Sequence, residues 1–256
     1  MHSLLSTKAH LEVERKFYPS IKLKSLLSSE NNIGGSKDRL MKSNAGVLSF
    51  EMLHESTVRD VYYDLDDQLS SKGIWRRRRY RYAQDANRAA GFALLPPGLK
   101  YQAKISLGGS YTASKFHEVE GLSEVSSLVR KTLPGLDMAD LKVMADLETY
   151  RQASKVQNLD LQCLAGVSHK EATCTVVLDK VSEVWPTHGE AAPFMHEVGE
   201  VELVHDSVAG DWVKAVEMDR AIEELMVRHG DIFLTDPEPK GKLSAYFAWK
   251  AGKSSL

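Results

Sequence analysis

The stretch LEVERKF at residues 11–17 alternates with a period of two between mainly apolar and charged side chains. Successive side chains of a β-strand point to opposite faces, so one face of this strand is charged. That face consists of Glu12, Glu14 and Lys16. Its carboxylates lie about 6 to 7 Å apart along the strand and repel each other unless a cation lies between them. Mg²⁺ suits that position because it prefers oxygen ligands and accepts phosphate as a further ligand. The stretch therefore predicts a strand with a core face and a metal-binding face; a solvated edge strand is the alternative.

Composition favours one globular domain, which we predict to span residues 1–256 with its core at 9–250. Of the 256 residues, 43% are hydrophobic and 27% are charged, with a formal net charge of −2. This charge gives no general reason to expect a nucleic-acid partner. Two cysteines without a C-x-x-C spacing favour a reducing compartment, and no apolar run reaches transmembrane length. These features favour a cytoplasmic protein without a membrane partner; we also expect a monomer.

A run of four arginines lies inside a second alternating stretch, IWRRRRYR at residues 74–81. Strand alternation places Trp75, Arg77 and Arg79 on one face, with Arg76 and Arg78 on the other. A nucleic-acid or nuclear-localisation patch is the alternative interpretation of such a run. The surrounding β pattern instead favours a strand with a cationic face.

The remaining pattern predicts further strands, with helices attached. Strands are predicted at 47–53, 58–64, 100–106, 114–121, 149–154, 158–164, 173–181, 198–204 and 240–250. Helices are predicted at 21–27, 122–133, 137–147 and 207–229, and loop insertions near 28–46, 82–98 and 182–195. About eight strands carrying alternating charge favour an α+β fold, an eight-stranded antiparallel β-barrel with flanking helices.

The charged faces of these strands carry both signs. The carboxylates are Glu12, Glu14, Glu118, Asp179, Glu200 and Glu202, and the cations are Lys16, Arg77, Arg79, Lys104, Arg151 and Lys242. If the barrel encloses them, burial without a ligand costs several kcal/mol for each charge. A polyanion bound by the cations and a metal bound by the carboxylates would satisfy both sets.

Five stretches resemble the CYTH superfamily, the triphosphate tunnel metalloenzymes, in the same order along nearly the whole chain. Residues 11–17 resemble its E-x-E-x-K signature, RDVYYD at 59–64 its R-D-x-Y-Y-D strand, and GIW at 73–75 with the arginines its W-x-R-x-R element. VGEVE at 198–202 is similar to a strand of the thiamine-triphosphatase branch, and GKL at 241–243 to the final lysine strand.

The resemblance implies an antiparallel β-tunnel that hydrolyses a small-molecule triphosphate with Mg²⁺, or with Mn²⁺. The thiamine-triphosphatase branch implies hydrolysis of thiamine triphosphate to thiamine diphosphate and phosphate. Metal ligands by position are Glu12, Glu14, Asp179, Glu200 and Glu202. Substrate contacts are Lys16, Trp75, Arg77, Arg79, Lys104, Glu118, Arg151 and Lys242.

The same resemblance implies catalytic roles for Lys16, Lys104 and Glu200. Either Glu200 or Glu202 would orient the attacking water. Trp75 is expected either to stack on the organic end of the substrate or only to form part of the wall. Other uses of such a tunnel stay open: an inorganic tripolyphosphatase, a nucleoside or RNA 5′-triphosphatase, an adenylate cyclase, or a polyphosphate-binding module without turnover.

Overall fold

A computed structural model describes residues 9–27, 38–81, 99–109, 113–157, 172–184, 192–205 and 212–253. The strands are β1 (Ala9–Pro19), β2 (Asp38–Ser43), β3 (Gly46–Asp64), β4 (Ile74–Arg81), β5 (Lys100–Gly109), β6 (Ala113–Glu120), β7 (Lys142–Gln157), β8 (Ala172–Glu183), β9 (Met195–His205) and β10 (Phe233–Leu234). The helices are α1 (Ile21–Leu27), α2 (Leu122–Thr132), α3 (Trp212–Arg228) and α4 (Lys242–Lys253).

Eight of these strands form a closed antiparallel barrel. Their order is β1-β6-β5-β4-β3-β7-β8-β9, and β9 pairs with β1 to close the sheet. The short strands β2 and β10 lie outside the closed ring, where they pair with β3 and β1. The predicted α+β fold with an eight-stranded antiparallel barrel is therefore confirmed.

The apolar core lies between the outer face of the barrel and the helices. Leu11, Val13 and Phe17 of β1 are buried in a cluster with apolar residues of α1 and α3. Two smaller clusters lie beneath α2 and α4. Because one face of each strand packs outward in this way, the alternating charged face is directed into the barrel.

The prediction of a last strand at 240–250 is wrong, because Lys242–Lys253 forms the helix α4. Tyr246 is buried, and Leu243, Phe247 and Trp249 pack around it against the barrel. Residues 243, 246 and 247 have helical spacing, and the segment contains no β-branched residue.

The helix predicted at 137–147 is also wrong, because Lys142 begins β7. The 16-residue β7 pairs along most of the 19-residue β3. This long pairing overrides the helix propensity of the Met-Ala-Asp-Leu-Glu sequence at 144–148. The two strands predicted at 47–53 and 58–64 are one continuous strand for the same reason.

Part of the predicted loop at 28–46 is strand, because β2 and the start of β3 form a hairpin across 38–46. The insertion near 182–195 is shorter than predicted, since β8 runs to Glu183 and β9 begins at Met195. The loop at 82–98 and the strand at 158–164 lie outside the described residues. Within the described chain, no helix has the length and hydrophobicity needed to cross a membrane.

Candidate active site

The barrel encloses a cavity of about 1070 Å³ whose wall is densely charged. The predicted site residues on this wall are Glu12, Glu14, Lys16, Trp75, Arg77, Arg79, Lys104, Glu118, Arg151, Glu200, Glu202 and Lys242. Asp179 is 1% exposed and is buried against Arg151. The structure thus brings the predicted residues together from seven strands and α4.

Three carboxylates converge on one side of the cavity. Oxygen atoms of Glu12, Glu14 and Glu202 lie within 4.8 Å of one another. The Lys104 ammonium group lies 2.9 Å from Glu12 Oε2 and 3.0 Å from Glu14 Oε2. This ammonium partly neutralises a group of carboxylates that would otherwise repel each other.

The pKa values of this group reflect the crowding. Burial raises the pKa of Glu202 to about 8, and the carboxylates of Glu12 and Glu200 add to this against the opposing effect of Arg151. Burial also raises the pKa of Glu12, although Lys104 opposes it. Burial acts in the same direction on Glu14, but Lys104 and Lys16 outweigh it and hold its pKa well below the usual range.

This donor set fits a hard divalent cation. Mg²⁺ takes carboxylate oxygens as ligands, and two of the three carboxylates resist ionisation without further positive charge. The structure does not bring Asp179 or Glu200 into the cluster of Glu12, Glu14 and Glu202. Glu12, Glu14 and Glu202 are therefore the residues that would hold the metal.

Asp179 and Glu200 instead contact Arg151. Arg151 donates to Asp179 through Nε at 2.8 Å and through Nη2 at 2.6 Å. The same Nη2 lies 3.4 Å from Glu200 Oε2, and Nη1 lies 3.7 Å from Glu202 Oε1. Since both Asp179 oxygens accept from one guanidinium, Asp179 fixes the orientation of Arg151 in the cavity.

Lys16 lies between the carboxylate cluster and the first turn of α4. Its Nζ is 2.7 Å from Glu14 Oε1 and 4.0 Å from Glu200 Oε1. Burial alone would lower the pKa of Lys16, but Glu14 and Glu200 outweigh it and raise that pKa. Gly241 packs so closely that a Cβ there would lie 2.8 Å from Lys16 Cε. A glycine before α4 thus leaves room for this ammonium.

Asp60 is a central acid of the interior, and sequence analysis did not assign it to the site. It is fully buried and accepts two hydrogen bonds of 2.7 Å from Arg79. Arg77 Nη1 and Lys242 Nζ each lie 3.8 Å from Asp60 Oδ2. Asp60 therefore holds three of the cations in place.

The signal for Asp60 was present in the alternation of RDVYYD. Asp60 lies on the same face as Tyr62, which lines the cavity. It is paired in register with Arg79. Gln102 was also missed: its amide oxygen accepts from Arg77 Nε at 3.0 Å, while Glu118 lies 3.0 Å from Arg77 Nη2.

The four arginines separate by face as the alternation predicts. Arg77 and Arg79 line the cavity. Arg76 and Arg78 lie on the outer face, against the ring of Tyr63. Lys242 enters the cavity from α4 rather than from a strand, and its Nζ lies 3.5 Å from Asp179 Oδ2.

Trp75 lines the cavity from β4. Gly73, Ser106 and Phe116 also line the cavity, and Trp75 is paired in register with Lys104. The Lys104 ammonium lies 4.9 Å from the centre of the Phe116 ring. An aromatic wall thus adjoins the charged region.

The interior network holds seven carboxylates and six cations among the described residues. They are Glu12, Glu14, Asp60, Glu118, Asp179, Glu200 and Glu202, with Lys16, Arg77, Arg79, Lys104, Arg151 and Lys242. Burial raises the pKa of Glu202 to about 8 and also raises that of Glu12, which reduces the excess of negative charge. A cavity of this kind can accept an anion and a metal cation together.

A scan against protein-family models and a search of curated proteins found no match. Similar solved structures include a candidate adenylate cyclase from Bacillus halodurans, at 15% identity and a TM-score of 0.46, covering 94% of this chain and 99% of that one. A candidate adenylyl cyclase from Hippeastrum with a dominant triphosphatase activity has 15% identity and a TM-score of 0.46, covering 95% and 96%. A protein from Pyrococcus horikoshii has 16% identity and a TM-score of 0.48, covering 93% and 99%.

Proposed function

We propose that this protein is a CYTH-type enzyme that hydrolyses the terminal phosphoanhydride of thiamine triphosphate with the help of Mg²⁺, in the cytoplasm and as a monomer. One observation carries the hydrolase proposal: three carboxylates converge within 4.8 Å in a cavity whose wall also carries six buried or half-buried cations. A binding module for polyphosphate would need the cations but not the converging carboxylates. Their combination suits phosphoryl transfer, in which positioning and charge stabilisation supply most of the catalysis.

The cations would bind the phosphate chain. A triphosphate carries about four negative charges near neutral pH, with the terminal group partly protonated. Arg77, Arg79 and Arg151 present guanidinium groups that bind phosphate oxygens in a bidentate manner. Lys16 and Lys104, which contact Glu14 from two sides, would contact the phosphoryl group that is transferred. When the substrate binds, these residues would give up contacts with carboxylates and form contacts with phosphate oxygens.

Glu12, Glu14 and Glu202 would hold the metal, and bound Mg²⁺ would neutralise charge on the phosphate oxygens. Glu200 lies beside Lys16 and Arg151, outside the three-carboxylate cluster. We assign it to orienting the attacking water and accepting its proton. Water attacks the terminal phosphorus, the bond from this phosphorus to the bridging oxygen breaks, and the diphosphate leaves.

Trp75 supports an organic substrate over inorganic tripolyphosphate, because it gives the cavity an aromatic wall beside Lys104. An indole attracts a cationic heteroaromatic ring by about 1 to 2 kcal/mol. Trp75→Ala should then raise KM for thiamine triphosphate about tenfold and leave the kinetics on tripolyphosphate nearly unchanged. Equal losses on both substrates would mean that Trp75 only shapes the wall.

Phosphate release from a substrate panel tests the proposal. The panel contains thiamine triphosphate, tripolyphosphate, ATP and an RNA 5′-triphosphate, each with Mg²⁺ and with Mn²⁺. The highest kcat/KM is expected for thiamine triphosphate. A higher value for another member would reassign the substrate, formation of cyclic AMP from ATP would indicate a cyclase, and binding without release of phosphate would contradict hydrolysis.

A further inference from the structure

The outer face of the barrel carries a cluster of arginines and tyrosines that the cavity does not use. It lies on β3, β4 and β5 and consists of Tyr63, Arg76, Arg78, Tyr80 and Tyr101. In register, Arg76 is paired with Tyr63, and Arg78 is paired with Tyr101. Because side chains alternate along β4, this cluster and the cavity lie on opposite faces of one strand.

Arg76 is the buried member of the outer cluster. Its side chain is only 3% exposed, and its guanidinium carbon lies 4.0 Å from the centre of the Tyr63 ring. Its Nε and Nη1 are buried, and neither has a hydrogen-bond partner among the described residues. Burial lowers the pKa of Arg76, and Tyr63 only partly opposes this. A buried guanidinium with unused donors is costly unless an acceptor is supplied.

Arg78 is the half-buried member and lies beside Arg76. Its Nη1 donates to Tyr63 Oη at 3.1 Å, whereas its buried Nε has no partner in the described part of the chain. Its guanidinium carbon lies 5.5 Å from the Tyr80 ring centre and 6.0 Å from that of Tyr101. Two guanidinium groups therefore share three aromatic rings and offer donors without acceptors.

Arg59, Arg77 and Arg79 of the same strands differ in this respect, because each contacts a carboxylate. Arg59 forms two hydrogen bonds with Asp146, and Arg79 forms two with Asp60. In contrast, no carboxylate of the described residues lies within ion-pair distance of Arg76 or Arg78. The outer cluster is thus a place where an external anion would provide the missing acceptor.

We infer that the outer cluster binds a nucleotide through its phosphate and its base. Guanidinium groups recognise phosphate oxygens, and tyrosine rings stack on bases. The cluster spans three neighbouring strands, or about 10 Å, which matches one nucleotide rather than a long strand. The nucleotide is either a free nucleoside monophosphate or one residue of a single-stranded RNA.

Photolabelling with 8-azidoadenosine 5′-monophosphate in EDTA tests the inference, because this probe lacks a triphosphate and no metal is present. Saturable labelling is expected on peptides containing Tyr80 or Tyr101. Arg78→Ala should raise the probe concentration needed for half-saturation at least tenfold. Arg130→Ala is the matched control, since Arg130 is exposed on α2 and pairs with Asp137; labelling should not change. Arg77→Ala, which alters the cavity, should also keep the label.

No saturable labelling of the wild type, or a label lost in Arg77→Ala and kept in Arg78→Ala, would overturn the inference. If Arg78→Ala loses its cooperative thermal transition, Tyr80→Leu replaces it, and unchanged labelling of that variant would also overturn it. Competition by an adenylate octamer with a 5′-hydroxyl identifies the source: tighter competition than by AMP indicates a strand, and weaker competition indicates a free nucleotide. Hydrolysis of thiamine triphosphate by Arg78→Ala is expected to be normal, which separates this site from the proposed function.

Discussion

Asp60 shows at the residue scale how the interior keeps its cations in place. Asp60→Asn removes the charge that Arg79, Arg77 and Lys242 share. Three cations are then left close together without this buried counter-ion, so unfolding free energy should fall by about 3 to 5 kcal/mol. Urea denaturation followed by circular dichroism measures this. A loss below about 1 kcal/mol would show that the cluster is solvated and weakly coupled.

Asp60 also predicts how stability depends on pH. Burial alone would raise the pKa of Asp60, but Arg79, Arg77 and Lys242 outweigh it and hold the pKa far below the usual range. Because the folded-state pKa is the lower one, Asp60 stabilises the fold above about pH 4. That contribution is lost as pH falls below the unfolded-state pKa. Below about pH 4, the free energy of unfolding should therefore decrease less steeply with falling pH in Asp60→Asn than in the wild type.

The arginine register is tested by paired substitutions on β4. Arg77→Ala and Arg79→Ala each remove charge-assisted hydrogen bonds to phosphate. Each should therefore lower kcat/KM about tenfold or more, which corresponds to a loss of at least about 1.5 kcal/mol of transition-state stabilisation. Arg78→Ala, on the outer face, is the control and should be nearly neutral for hydrolysis. Steady-state kinetics on thiamine triphosphate decides. The reverse order of effects would place the strand one residue out of register.

At the element scale, α4 is both a wall of the cavity and the source of Lys242. Gly241→Ala adds a methyl group 2.8 Å from Lys16 Cε. The end of a lysine side chain yields easily, so stability should barely change, while displacement of Lys16 Nζ should lower kcat/KM roughly tenfold. Gly252→Ala is the matched control, because nothing lies within 4 Å of a Cβ there. An unchanged kcat/KM in Gly241→Ala would show that the position of Lys16 is not critical.

The sequence predicts elements well where one strand face is apolar and the other charged. Residues 11–17 and 198–204 both lie in strands, as this alternation predicts. Prediction from sequence fails where a short aromatic-rich or helix-prone segment fits both the helix period and the strand period. The segments at α4 and at the start of β7 are of this kind. There the choice depends on tertiary partners, the apolar cluster beneath α4 and the length of β3, which local sequence does not reveal.

At the scale of the whole molecule, the β1–β9 seam closes the barrel and depends on close packing. A Cβ on Gly199 would lie between 2.3 and 2.7 Å from three atoms of the buried Phe17 ring. This ring has no room to move, so Gly199→Ala should destabilise the protein by about 1 to 3 kcal/mol. Gly230→Ala is the control, since its nearest neighbour lies at 3.5 Å. Equal thermal midpoints for both variants would contradict this account of the seam.

Much of the interior is predictable because closure of a barrel directs one face of every strand inward. Glu12, Arg77 and Glu200 lie in the cavity wall for that reason. The partner of each charge is not predictable in this way. Pairing of Asp60 with Arg79, or of Asp179 with Arg151, follows from strand register, and register is fixed only when the whole sheet forms.

Phosphate release from thiamine triphosphate, with Mg²⁺ and then with excess EDTA, tests the central claim most directly. Glu14 belongs to the three-carboxylate cluster and contacts both Lys16 and Lys104. Turnover by the wild type should stop in EDTA and return when Mg²⁺ is restored. Glu14→Gln should fold, as judged by circular dichroism, and show no turnover with Mg²⁺. Full wild-type activity in EDTA, or normal turnover by Glu14→Gln, would contradict a metal-dependent triphosphatase in this barrel.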